Sequence, residues 1–268
     1  MSTTRITGRA PRVRTQSTRA LRLLVVGFVV GAVLLGCAAT KSRSSPTSSA
    51  ESACAEGFSG CLGPLAAGAH TAAGFGIDFT VPDGWTNLVD NRGWFLLSPR
   101  DDAESGKDTG KYLAVFPDAL IASDSRACPP EPLAGVGHTV DDIVAYLTQH
   151  QGLATSNLTA VTIGGLAGKS LDLSLAPSWT TTCQGESLPS VSYLTENNTE
   201  GWRWAVGGSE HQRMAFLDEG AGGVIVVAIN SPTGEGFDAL AQAAAPIVES
   251  FAFHRGSGSA SSSRTPSP

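Results

Sequence analysis

Five histidines stand at positions 70, 138, 150, 211 and 254, and no two have the HxH or HExxH spacing that turns imidazoles toward one metal ion. The spacing therefore predicts no metal site, and no motif asks for a cofactor. A serine hydrolase of the elbow type needs G-x-S-x-G. The nearest approach, Gly57-Phe58-Ser59-Gly60, lacks the second half of that spacing and reads as a turn between Cys54 and Cys61. Thiol redox chemistry would need C-x-x-C, which does not occur. The glycine pairs at Gly164-Gly165 and Gly220–Gly223 lack the lysine of a phosphate cradle and read as hairpin turns. The acid pairs Asp101-Asp102 and Asp141-Asp142 are sequence neighbours, so their side chains do not face one another across a substrate. Catalysis needs convergent titratable groups or a cofactor site, and neither is written in these spacings. The chain reads as a non-enzymatic protein. The alternative is a hydrolase whose residues converge from distant loops, with His138 or His211 meeting an acid and a serine.

Aromatic side chains are the other reactive surface, in the sense of recognition. Trp202 and Trp204 alternate onto one face of a strand with Arg203 opposite. They could stack a sugar or hold an apolar ligand, or they could fill the space between a sheet and a helix. Trp179, beside Pro177 and ahead of Cys183, reads as a third candidate for ligand binding, at the rim of a site.

Charge and hydropathy place these residues. The chain has 268 residues, 41% apolar and 16% charged, with 31 Gly and 15 Pro, which excludes a charged disordered chain and a coiled coil. The net charge of -6 argues against a nucleic-acid partner. Residues 1–36 carry six Arg and no acid, so the remainder is acidic behind a basic leader. Within that leader, Leu23 to Leu35 is 13 residues without a charge. A membrane span needs about 20 apolar residues, whereas a signal-peptide core is of this length. The run ends in Leu34-Leu35-Gly36-Cys37, which resembles a bacterial lipobox. That resemblance implies cleavage before Cys37, transfer of a diacylglycerol to its thiol, and a domain held by lipid on the extracytoplasmic face of the cell membrane. A conventional cleavage site or a short uncleaved anchor would also put the domain outside the cytoplasm.

Removing Cys37 for lipid leaves Cys54, Cys61, Cys128 and Cys183, an even number. Four cysteines allow three connectivities. Cys54–Cys61 closes a six-residue loop locally, and Cys128–Cys183 then staples two long loops; this is the favoured scheme.

Residues 37–61 read as the lipidated cysteine, a Ser/Thr/Ala-rich tether and the small Cys loop; residues 256–268 read as a disordered polar tail. Between them, 62–255 reads as one globular domain. Strands are expected at Ile77–Val81, Trp85–Val89, Trp94–Leu97, Lys111–Phe116, Val161–Ile163, Leu166–Leu175, Val191–Leu194, Trp202–Val206, Gln212–Leu217 and Val224–Ile229. The last of these look like an antiparallel meander. Two helices are expected. One opens at Thr139 with Val140, Ile143, Val144 and Leu147 on one stripe. The other carries Phe237, Leu240, Ala241, Ala244, Ile247, Val248 and Phe251, with Pro246 expected to kink or restart it. Narrow stripes suit helices lying on a sheet, so the class is α+β.

The segment Phe79-Thr80-Val81-Pro82-Asp83-Gly84-Trp85 is similar to the strand–PxGW–strand hairpin of PsbP/Mog1-like domains, which include mycobacterial LpqN-type lipoproteins. Gly137–Leu147, Thr162–Pro177, Trp179–Cys183 and Phe237–Phe253 resemble a family of actinobacterial secreted lipoproteins. Together these pieces cover most of 65–253. The resemblance implies an antiparallel sheet backed by helices, in which a Cys128–Cys183 bridge fits. It brings no catalytic residues. The expected function is a membrane-anchored envelope module that binds a partner protein or a ligand; an apolar small-molecule or lipid carrier is the second reading. Such a carrier would need a cavity of several hundred Å³ between sheet and helices, within the ordinary range of roughly 300–1,000 Å³ for ligand pockets.

Overall fold

A computed structural model describes residues 62–105, 109–123, 128–129, 131–196, 203–220 and 223–254. Cys37, Cys54, Cys61 and Trp202, with the leader, tether and tail, lie outside these residues.

The chain runs β1 (Gly63–Pro64), β2 (Gly68–Ala72), β3 (Ile77–Val81), β4 (Trp85–Asp90), β5 (Phe95–Pro99), α1 (Arg100–Glu104), β6 (Tyr112–Phe116) and β7 (Ala119–Ile121). It continues with α2 (Val140–Gln149), β8 (Leu153–Ile163), β9 (Leu166–Leu175), β10 (Ser190–Glu196), β11 (Arg203–Gly207), β12 (His211–Gly220), β13 (Gly223–Ser231), α3 (Phe237–Glu249) and β14 (Ala252–Phe253). Eight strands form one antiparallel sheet in the order β1-β4-β5-β6-β13-β12-β9-β8. The described residues form an α+β, largely antiparallel single domain that carries three helices among them.

The sheet is covered on both sides, and its central strand shows why. In β13, Ile225, Val227 and Ile229 point into a core shared with β3 and α3. Val224, Val226 and Ala228 point into a second core shared with β7, β10, β11 and α2. With period two, a strand buried on both faces must be apolar at every position, as the run Val-Ile-Val-Val-Ala-Ile is. The outer layers are α3 with the three-stranded β14-β3-β2 sheet on one side, and α2 with the three-stranded β11-β10-β7 sheet on the other.

That second small sheet departs from the expected meander. β12 pairs with β9, Met214 opposite Leu171, and not with β11. The β10–β11 hairpin leaves the main sheet and lies across its face, burying Val191, Tyr193, Leu194, Trp204 and Val206. Alternation tells a strand which side is buried but not which sheet it joins.

Local chemistry fixes the other elements. Thr139 caps α2 reciprocally: its hydroxyl accepts from the Asp142 amide at 3.2 Å, and the Asp142 carboxylate accepts from the Thr139 amide at 3.2 Å. Gly164 and Gly165 turn β8 into β9 with φ of 56° and 81°, a pair of left-handed positions that suits a type I′ hairpin. α3 runs through Pro246 to Glu249 without restarting. The proline sits on the exposed side of the last turn, where its missing N–H removes one bond. β8 starts at Leu153, well before the expected Val161, because this edge strand is exposed from Ser156 to Ala160 and leaves no alternating pattern to read there.

Candidate functional site

α3 does not cover its whole side of the main sheet. Beyond it, toward edge strand β8, a groove of about 360 Å³ opens. Ala241, Ala245 and Val248 form the helix wall; Val161, Ile163 and Ala215 contribute to the sheet floor. Two small alanines on the helix keep the groove open, since a larger side chain at either place would project onto the floor. The polar positions on its lining include Arg213 and Glu249. Arg213 is held by a bidentate pair: Nε and Nη2 donate to the two Asp172 oxygens at 2.7 and 3.0 Å, and the guanidinium lies 5.6 Å from the centre of the Phe237 ring. These bonds raise the Arg213 pKa further, against a smaller opposing effect of burial, so the group is a permanent cation. Asn157 Nδ2 supports Asp172 at 2.8 Å.

On the other side of the sheet the C-terminal end of α2 meets the loop after β9. Tyr146 and His150 are one helical turn apart, their rings 5.6 Å centre to centre, and His150 is 5.7 Å from Trp179. The three rings, with Ala145, Gln149 and Gln151, line a shallow recess of about 470 Å³. Trp179 is half-buried and fixed: its indole Nε1 donates to the Ser190 carbonyl at 3.0 Å and its amide to the Ala176 carbonyl at 2.9 Å. The Gly152 amide donates to His150 Nδ1 at 3.0 Å, which in the neutral ring leaves the proton on Nε2.

The loop that carries Trp179 is tied down. Cys128 and Cys183 are joined, with Cα atoms 5.5 Å apart. Arg203 Nη1 donates to the Cys128 carbonyl at 3.2 Å and Nη2 pairs with Glu186 at 2.5 Å. Glu186 in turn accepts from the Ser190 hydroxyl.

The sequence candidates separate accordingly. Trp179 stands at a rim, among aromatic neighbours that the sequence reading did not single out. Trp204 is no ligand platform: it is 5% exposed, stacked on Phe116 at 4.8 Å and on Trp94 at 5.8 Å, with Tyr112 edge-on. The small sheet it belongs to folds over the main sheet and seals it into the core. His211 bonds the Ser209 carbonyl and packs on Phe237, and His254 pairs with Asp78 at 2.8 Å. Among the described residues no group of three His, Cys, Asp or Glu side chains can hold a metal ion. Among them, too, no helix is long and apolar enough to cross a membrane. Tyr146 and His150 were within reach of sequence reasoning, at i and i+4 beside the buried stripe of α2.

Comparison with protein-family models and with curated proteins gives no match. Solved structures do resemble the chain. A Bacteroides thetaiotaomicron VPI-5482 protein has a TM-score of 0.32 at 12% identity, over 72% of this chain and 51% of its own, so the chain spans about half that protein's length. Cyanobacterial PsbP (CyanoP) from Synechocystis sp. PCC 6803 has a TM-score of 0.34 at 13% identity, over 74% of this chain and 99% of its own. Mycobacterium tuberculosis LpqN, described as involved in cell envelope biogenesis, has a TM-score of 0.34 at 16% identity, over 69% and 88%. At these scores no function or site residue passes from those proteins to this one.

Proposed function

We propose that the chain is a lipid-anchored, extracytoplasmic binding module of the cell envelope, of the secreted-lipoprotein kind that its segments resemble, and that it holds a small apolar ligand such as an acyl chain in the groove beside α3. The observation that carries the reading is the groove itself: about 360 Å³ between helix and sheet, walled by Ala241, Ala245 and Val248. That volume falls at the low end of the roughly 300–1,000 Å³ typical of small-molecule sites. The strongest charge on its lining is already satisfied, because Arg213 is held by Asp172. An apolar occupant therefore does not strand the guanidinium, and the Glu249 carboxylate is exposed and keeps its contact with water. The lipobox-like Leu34-Leu35-Gly36-Cys37 and the even cysteine count left after Cys37 support the anchor. β1, at one edge of the main sheet, and β8, at the other, are seven strand spacings apart, about 33 Å. The groove edge thus lies across the sheet from the strand nearest the tether in sequence.

Two measurements test the two halves. Organic extracts of the full-length protein, purified from membranes, are expected to contain an apolar molecule near stoichiometric amount by mass spectrometry, and Ala245→Trp is expected to lose it. Equal recovery from both proteins, or none from either, overturns the groove. Cys37→Ala is expected to leave the leader unprocessed or to release the protein from membranes. Unchanged mass and unchanged membrane retention overturn the anchor.

A further inference from the structure

We infer that the recess at the end of α2 is a saccharide-binding site, separate from the groove beside α3. Its floor and walls combine two kinds of group. Tyr146, His150 and Trp179 follow one another along the recess, each ring tilted against the next by 49° and 58°. Gln149 and Gln151 add side-chain amides, each able to donate and to accept. None of the six lining residues is an Asp, Glu, Lys or Arg.

That combination selects a ligand class by exclusion. A phosphate or carboxylate is recognised by Arg or Lys, and the lining has neither. A quaternary or primary ammonium is held in an aromatic cage most strongly where the cage is desolvated or carries an acid, and this recess is open and has no acid. A hydrocarbon chain would strip water from both glutamine amides without replacing their hydrogen bonds. A pyranose has what the lining asks for: a flat face of C–H groups to lie on an aromatic ring, and a rim of hydroxyls that both donate and accept. The rings touch one another at 5.6 and 5.7 Å and are tilted by 49° and 58°, so together they offer one angled aromatic surface, on which a single pyranose of a longer chain can rest.

The site is also built in advance. Trp179 is held through both its indole and its backbone N–H, and Gly152 lies directly beneath it. The loop that carries it is stapled by Cys128–Cys183. His150 is oriented by the Gly152 amide, and Tyr146 rides on a helix capped at Thr139. The rings have little freedom left to lose on binding, whereas the exposed Gln149 and Gln151 side chains are ordered by the ligand, which keeps the affinity modest.

The experiment is calorimetric titration of the full-length chain, in a detergent without a sugar headgroup, with chitotetraose and with cellotetraose. Choline and inorganic phosphate serve as the competing chemistries. NMR of the tryptophan indole N–H groups locates the contact. The expected result is binding of at least one tetrasaccharide with Kd near or below about 1 mM, with the Trp179 indole resonance moving most. Tyr146→Ala is expected to weaken it about fivefold to tenfold, the size of one aromatic contact, and Gln149→Ala to weaken it less. Trp179→Phe keeps a ring in place and is expected to retain part of the affinity; if that variant fails to fold, Tyr146→Ala and the indole shifts still decide. Failure of both sugars at about 10 mM, binding of choline or phosphate instead, or sugar binding untouched by Tyr146→Ala overturns the assignment. Loss of the apolar ligand by Ala245→Trp concerns the other groove and leaves this outcome independent.

Discussion

Gly152 lies against the ring of Trp179 so closely that a Cβ at position 152 would stand 2.9 Å from Trp179 Cδ2. The same atom would stand 2.6 Å from Val191 Cγ2 and 3.0 Å from His150 Cε1. The tryptophan can lie flat at this place only because residue 152 has no side chain. Gly152→Ala is expected to push Trp179 and His150 apart and to cost about 1–3 kcal/mol, the usual penalty of overpacking. Denaturant unfolding followed by tryptophan fluorescence measures both effects. An unchanged midpoint with an unchanged Trp179 indole resonance would show that the loop gives way freely.

The positions of these two residues also show what a sequence discloses. Thr139-Val140-Asp141-Asp142 names the start of α2 because a hydroxyl three residues ahead of a carboxylate can satisfy the first free amides whatever else surrounds it. Gly164-Gly165 names the β8–β9 turn because the two positive φ values are a local demand. The apolar run of β13 announces burial on two faces. By contrast, nothing local distinguishes β10 and β11 from their neighbours. Trp204 is buried by a decision of the whole chain, namely that the hairpin crosses the sheet and does not extend it. For the same reason the recess was half legible: Trp179 was visible as a lone ring, and its partners Tyr146 and His150 became a site only when α2 was laid beside the loop after β9.

The Cys128–Cys183 bond closes a separation of 55 residues and fastens the loop that holds Trp179. In the chain-entropy model such a closure is worth about 4 kcal/mol. The double variant Cys128→Ala, Cys183→Ala is therefore expected to unfold at markedly lower denaturant, and to lose the ordered Trp179 indole signal before the main sheet melts. The core of β12, β13 and β9 does not pass through the bridge. Thiol titration of the denatured, unreduced wild-type protein should find neither Cys128 nor Cys183 reactive, and reactivity at either would contradict the pairing.

The cap of α2 makes a prediction with a definite sign in pH. The Asp142 carboxyl is held below the ordinary aspartate range, first by the Thr139 hydroxyl, then by the Thr139 amide, with His138 adding a smaller pull. A carboxyl whose pKa is lowered on folding binds its proton less readily in the folded state, so it stabilises the fold at pH above its unfolded value, about 3.9. That contribution fades as the pH falls through the depressed folded value. Thr139→Ala removes the hydroxyl and the reciprocal cap together. At pH 7 it is expected to lower the unfolding midpoint by a few degrees; the gap from wild type should narrow as the pH drops below about 3.9. Carboxyl NMR of Asp142 should show its titration moving up toward the ordinary value in the variant. A gap that stays constant from neutral to acid pH would mean that the cap acts through the helix backbone alone and that the Asp142 charge contributes nothing to holding Tyr146 and His150 in place.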